Sequence, residues 1–192
     1  MVKRLVGKEL IEQSLLELLE SKPIEDITVT EIAKNCGITT RTFYYYFEDK
    51  HDVVSSIYLC YMEPHMNCSI KEWYEHMAEF FMQYHSFMEH CLIYSGQNSL
   101  SETIIDLEWK KLKRHFKPEI YANPIEFKRT EIAIEYMLHG NVGSLRNSFV
   151  HKTHSAQRNY FYEVYDGVWS YMADNIPQCI LQNLSMDPID SK

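Results

Sequence analysis

A chain of 192 residues with 45% apolar side chains can bury a core, and its 6 Gly and 6 Pro favour helices over a turn-rich β architecture. A formal net charge of −8 excludes indiscriminate binding of nucleic acid, which needs clustered Lys and Arg. Five scattered cysteines without a Cys-x-x-Cys pair exclude a disulfide framework, and no stretch reads as a signal peptide or approaches the ~18 apolar residues of a membrane span. A soluble cytoplasmic protein with reduced thiols, no membrane partner and no cofactor is expected.

From Arg4 to Leu19 apolar residues recur three and four apart, the pattern of an amphipathic helix, which Pro23 ends. Thr28-Val-Thr-Glu31 reads as a capping box opening a short helix, Val29 to Asn35, that Gly37 stops. Thr39 caps a second short helix reaching about Tyr46. Asp49 caps a fourth, with Val53, Val54, Ile57, Tyr58 and Tyr61, before Pro64. A stripe at helical spacing runs from Ile70 through Trp73, Met77 and Phe81 to Cys91, and Ser95 to Asn98 is a loop. Ser99-Leu-Ser-Glu102 is another capping box, opening a helix that ends before Pro118. Asn123-Pro124-Ile-Glu126 starts a helix reaching about Phe149. His151 to Ser155 connects to a last helix, about Gln157 to Asn175, and the tail after Pro177 is expected to be loosely ordered.

Two short helices joined by a three-residue turn containing Gly form a helix-turn-helix, whose second helix is offered to the major groove. Ile32, Ala33, Ile38 and Phe43 are spaced to pack the pair together. The second helix carries Thr40, Arg41 and Thr42, then Tyr44, Tyr45 and Tyr46, flanked by Phe43 and Phe47. Tyrosine can pack along sugar and donate to phosphate, and Arg41 has the fork to read a guanine edge. Three consecutive helical positions span about 200°, so the tyrosines cannot all be core. Lys50 begins the next helix, where the dipole disfavours an ammonium unless an anion lies in front of it.

The run Ile27-Thr-Val-Thr-Glu-Ile-Ala-Lys-Asn-Cys-Gly-Ile, followed by Arg41-Thr-Phe-Tyr-Tyr-Tyr-Phe-Glu-Asp-Lys50, resembles the DNA-binding domain of the TetR family. The resemblance covers roughly the first 60 residues. It implies an all-α fold, with a three-helix DNA-binding domain over residues 1–50, a connecting helix at about 49–63, and a helical ligand-binding and dimerisation domain over residues 51–192. It places base contacts at Thr40, Arg41 and Thr42. Backbone contacts fall at Tyr44, Tyr45, Tyr46 and Lys50, with Thr28 and Thr30 touching phosphate from the preceding helix. Tyr46 departs from the family pattern, where many relatives have His. Acidic residues outnumber basic ones over this domain, so affinity is expected to be modest and strongly salt-dependent.

The implied partners are a palindromic operator in double-stranded DNA, a second copy of the chain, and a small-molecule effector that the resemblance does not identify. Pocket candidates are Trp73, Met77, Phe81, Tyr84, Met88, Trp109, Phe116, Tyr121 and Met137, since Met and aromatics make adaptable apolar walls. Taken singly, each is as readily explained as core. The dimer stripe is read as Leu138, Val142, Leu145 and Phe149, with Gly140, Gly143 and Ser144 allowing close approach. Phe161, Val164, Tyr165, Val168, Trp169 and Met172 add to it from the last helix. His65 with Cys68, or His85 and His90 with Cys91, lack the partner pair a metal site needs, so no metal is expected. Cys36 lies in the turn of the reader.

These observations lead to a repressor released from its operator by an apolar or amphipathic ligand. An activator, or a regulator switched by a protein partner, fits the same residues. A small helical enzyme is the rival from another class, but the chain has no nucleophile elbow, phosphate-binding Gly loop or His-Glu-x-x-His.

Overall fold

A computed structural model describes residues 7–150, 180 and 182–189. The expected connection at His151 to Ser155 and the last helix lie outside the described residues. Among those described the chain is all-α. The helices are α1 (Gly7–Leu19), α2 (Val29–Asn35), α3 (Thr40–Tyr46), α4 (Lys50–Met62), α5 (Ile70–Gln83), α6 (His85–Leu92), α7 (Leu100–Arg114) and α8 (Pro124–Val150). One isolated antiparallel bridge joins Phe116 to Leu184. The contacts divide the chain into two units, one holding residues up to Tyr61 with Tyr84–Thr103, the other Met62–Gln83 and the chain from Ile104 onward.

In the first unit, local chemistry sets each helix end. The Thr28 hydroxyl accepts from the Glu31 amide at 3.2 Å while the Glu31 carboxylate accepts from the Thr28 amide at 2.9 Å, a closed capping box. Lys22 pairs with the same carboxylate at 2.6 Å, and this contact, with the Thr28 bonds, lowers the Glu31 carboxyl to about 2. Gly37 adopts φ +72°, the left-handed turn that separates α2 from α3 and that a side chain would strain. Thr39 caps α3 by accepting from the Thr42 amide at 3.1 Å. Phe47 leaves the helix in extended geometry, and Asp49 Oδ1 accepts from the amides of His51 and Asp52 to open α4.

Packing then fixes the angles between these helices. Ile11, Leu15 and Leu19 lie four apart on α1 and are fully buried with Ile24, Ile27, Ile32 and Phe43. Each such side chain contributes on the order of 1.5–3 kcal/mol as an upper estimate. The Ser14 hydroxyl donates to the Ile32 carbonyl at 2.8 Å, so the one polar side chain on the buried face of α1 is satisfied by α2. Lys50 supplies a longer-range tie. Its ammonium donates to the carbonyls of Ile24 at 2.6 Å, Ile27 at 2.8 Å and Glu25 at 3.1 Å, which fixes the turn before α2 to the start of α4.

The second unit packs α5, α7 from Ile104 on, and α8. Ser69 and Glu72 form a further capping box at the start of α5. The apolar stripe expected from Ile70 to Cys91 is not one helix. Tyr84 leaves the helical region (φ −112°, ψ 43°), separating α5 from α6, which belongs to the first unit. Two charged residues of α7 are buried. Lys111 is fully enclosed, donating to the carbonyls of Met66 and Cys68 with its ammonium 5.5 Å from the centre of the Trp73 ring. Burial lowers its pKa below the usual lysine range. Glu108 receives a hydrogen bond from the Tyr74 hydroxyl, at a long 3.4 Å. Desolvation therefore dominates and raises its carboxyl to about 8.

The tail is anchored, contrary to expectation. Ile180 and Leu184 are buried, the Lys117 amide donates to the Asn183 carbonyl at 2.9 Å, and the Ser185 amide donates to the His115 carbonyl at 2.7 Å. The Asn183 side-chain amide donates to the Thr130 hydroxyl at 3.0 Å. Two apolar side chains enter the core, and Asn183 and Ser185 find backbone partners, so these described residues of the tail are held in place.

Two measurements check this fold. Lys50→Met is expected to strand three carbonyls and cost about 1–3 kcal/mol, read as a lower denaturant midpoint; an unchanged midpoint contradicts the tie. Folded Glu108 holds its proton to about pH 8, while the unfolded carboxyl releases it near 4.5. The folded state thus binds more protons between these limits, and stability falls as pH rises through them. Glu108→Gln is expected to remove that slope and to stabilise the protein at pH 7 by about 2–4 kcal/mol. Parallel pH profiles for the two proteins would show that the carboxyl is ionised when folded.

Candidate nucleic-acid interface

At α3, the ring of Phe43 and that of Phe47, the residue that ends the helix, face inward, and three tyrosine rings face outward. Phe43 and Phe47, four residues apart, have ring centres 6.0 Å apart and are almost wholly buried. Directly opposite them on the helix are Arg41 and Tyr45, themselves four residues apart. Tyr45 is 80% exposed, Tyr44 59% and Tyr46 37%, and Thr40 and Arg41 are exposed beside them. The tyrosine run is therefore surface, as the angular argument required. Tyr45 and Tyr46 meet edge to face at 5.0 Å, and Tyr44 meets the edge of Phe43 at 5.5 Å. Three large aromatics are thus held against one another and against the core, at little further entropic cost for a ligand to meet.

Tyr46 has a second role. A Cβ on Gly7 would lie 2.7 Å from its ring, so the absence of a side chain at Gly7 lets α1 begin directly over Tyr46. That contact accounts for its lower exposure. Lys8 lies 5.5 Å from the centre of the Phe47 ring.

Two residues implied as phosphate ligands are engaged elsewhere. The three protons of the Lys50 ammonium meet the three carbonyls described above. The Thr28 hydroxyl donates to the Glu31 carboxylate at 2.9 Å while it caps α2. Thr30 is exposed in the first turn of α2, and the Thr42 hydroxyl is paired with that of Thr39 at 2.9 Å. The Cys36 thiol donates to the Ile32 carbonyl at 3.2 Å in the turn. The geometry presents Thr40, Arg41, Tyr44 and Tyr45 as the open set, with Thr30 on the neighbouring helix.

The expected pocket residues do not share one unit. Tyr84 and Met88 lie in the first unit; Trp73, Met77, Phe81, Trp109, Phe116, Tyr121 and Met137 lie in the second. Of these, Trp109, Phe116 and Tyr121 are gathered in a ring cluster with Phe127, centroids 5.4–6.4 Å apart. Sequence reading missed Phe127, whose place in the first turn of α8 follows from the cap at Asn123. The Trp73 indole nitrogen is buried without a hydrogen-bond partner.

The stripe on α8 read as a dimer surface points inward. Leu138, Val142 and Phe149 are buried within the single chain, and Leu145 is half-buried. The opposite face carries exposed Ile125, Ile132 and Tyr136, and a Cβ added at Gly140 or Gly143 would meet nothing within 4 Å. Both faces of the helix hold apolar residues, so periodicity alone could not choose between them. Phe161, Val164, Tyr165, Val168, Trp169 and Met172 lie outside the described residues. Among the described residues no three His, Cys, Asp or Glu are gathered to hold a metal, and no helix is long and apolar enough to cross a membrane.

Comparison with known proteins agrees with this architecture. Residues 13–57 match the family described as bacterial regulatory proteins, tetR family. A stretch of 40 residues is 45% identical to the HTH-type transcriptional regulator EthR of Mycobacterium tuberculosis (strains CDC 1551 / Oshkosh and ATCC 25618 / H37Rv) and of Mycobacterium bovis. That stretch is 21% of this chain and 18% of those relatives, so the likeness spans less than a fifth of their length. The solved structure of the dihydroxyacetone kinase operon activator DhaS superposes on 94% of this chain and 99% of its own, with a TM-score of 0.60 at 13% identity, a likeness of fold. Residues 13–57, which hold the helix-turn-helix of α2 and α3, thus match the tetR family, and the chain as a whole shares the fold of the DhaS structure.

Proposed function

We propose that the chain binds double-stranded DNA as a two-fold dimer and regulates transcription from a palindromic site. The observation that carries this reading is the outward face of α3. Arg41 and three tyrosines are exposed, while Phe43 and Phe47 bury their rings in the core. Large exposed aromatics are costly to keep unless a partner covers them. In the major groove, Arg41 reads a guanine through two parallel hydrogen bonds. Tyr44 and Tyr45 donate to phosphate oxygens and lay their rings along the sugars. Lys50 serves the interface indirectly, by holding α4 against the turn that precedes α2.

The second copy docks on the exposed face of α8, where Ile125, Ile132 and Tyr136 offer apolar area and Gly140 and Gly143 leave room for another helix. Two-fold symmetry then presents two recognition helices about one DNA turn (~34 Å) apart or a multiple of it. An apolar or amphipathic ligand that favours a state with displaced α4 changes that spacing and releases the operator. A second reading is favoured by the name of the fold neighbour, an operon activator, and makes bound protein the productive state. A promoter fusion separates them, because deletion of the regulator raises expression under repression and lowers it under activation.

Two substitutions test the interface on a duplex enriched from random sequence. Arg41→Ala is expected to relax preference at one base pair of each half-site by about 1–3 kcal/mol. Tyr45→Ala is expected to weaken all duplexes alike. Unchanged affinity in both would remove α3 from the interface. Ile132→Asp is expected to yield monomers in sedimentation, and a surviving dimer would move the interface off this face of α8.

A further inference from the structure

We propose that the groove between the turn at Glu63–His65 and the last turns of α7 binds a phosphate monoester with an apolar body. The groove is open on one side and offers about 600 Å³, within the range of small-molecule sites. Three of its lining residues are cations, Lys110, Lys113 and Arg114. Their i, i+3, i+4 spacing sets them on one face of α7. All three are exposed, and none takes part in an ion pair among the described residues. Glu63 is the one acid that lines the groove with them, which leaves three positive charges against one negative.

That excess is unusual in a chain with a formal charge of −8. Like charges at this spacing repel by a few tenths of a kcal/mol per pair. The negative end of the helix dipole offsets part of this for Lys113 and Arg114, but it falls off beyond the last turn, where Lys110 stands. An anion in the groove resolves the repulsion. A phosphate ester carries ≈ −1.5 to −2 charges near neutral pH, matching the excess. The Arg114 fork suits two of its oxygens, and the lysines act as point charges.

The groove is also a built feature. Beneath it, buried Lys111 binds the carbonyls of Met66 and Cys68, Arg114 donates to the Asn67 side chain at 3.1 Å, and the Ile189 amide donates to the Asn67 carbonyl at 2.9 Å. The turn carrying Pro64 and Met66 is thereby fixed opposite the cations. These two residues, with Leu107, give an apolar surface on which the ester's body can lie. The proposal is independent of DNA recognition, because a chain that bound its operator and no phosphate ester would refute one and leave the other intact.

Calorimetric titration of the full chain with phenyl phosphate tests it, with phenol as the uncharged analogue. Expected are one saturable site per chain and no measurable binding of phenol. The pair Lys110→Gln and Lys113→Gln, which removes two exposed cations without a structural partner, is expected to weaken binding about ten-fold. The pair Lys34→Gln and Lys128→Gln, which removes the same charge elsewhere, is expected to leave it unchanged. Absence of a saturable site, equal weakening by both pairs, or phenol binding as tightly as its phosphate would each overturn the assignment.

Discussion

Phe43 and Phe47 lie side by side in the core of the first unit, and the rest of the candidate interface follows from that burial. Once Phe43 on the helix and Phe47 at its end are both enclosed, the rotation of α3 about its axis is fixed. Arg41 and Tyr45 must then point to solvent. The short helix could not hold this pose alone, since seven residues are too few to be stable in isolation. Its neighbours supply what it lacks: Thr39 caps its start, Gly37 turns the chain into it, and Gly7 lets α1 close over Tyr46.

Lys50 shows how the same domain is tied across sequence distance. Its ammonium collects three carbonyls from the turn between α1 and α2, more than 20 residues away. A lysine at a helix start is unfavourable to the dipole, and here carbonyl oxygens supply the compensating negative ends. Positioning of the reader therefore depends on a cation that does not itself face the reader's partner. The second unit uses Lys111 in a parallel way, gathering the carbonyls of a turn beneath α7.

What was legible in the sequence was local. The capping boxes at Thr28–Glu31 and Ser99–Glu102, the cap at Asn123 and the turn at Gly37 are each decided within four residues, and each stands where expected. The pattern Ser69-x-x-Glu72 carried the same signal and could have been read. The break at Tyr84 could not, because the apolar spacing continues through it without a Pro or Gly. Long-range partners were equally hidden: the tail is held by His115, Lys117 and Thr130, some 50 to 70 residues earlier. On α8 apolar residues occupy both faces, so sequence could not show which face the chain's own core covers. For the site, the exposed face of α3 and the engagement of Thr28 with Glu31 were legible, while the engagement of Lys50 emerged only from three-dimensional neighbours.

The central claim is that the tyrosine face of α3 is covered by DNA. Hydroxyl-radical footprinting of the protein, read by mass spectrometry with and without a selected duplex, measures this directly. The account predicts that oxidation of Tyr44 and Tyr45 falls several-fold on binding, while Tyr121, exposed in the second unit, reacts as before. Equal oxidation of Tyr44 and Tyr45 in free protein and in a saturated complex would contradict it.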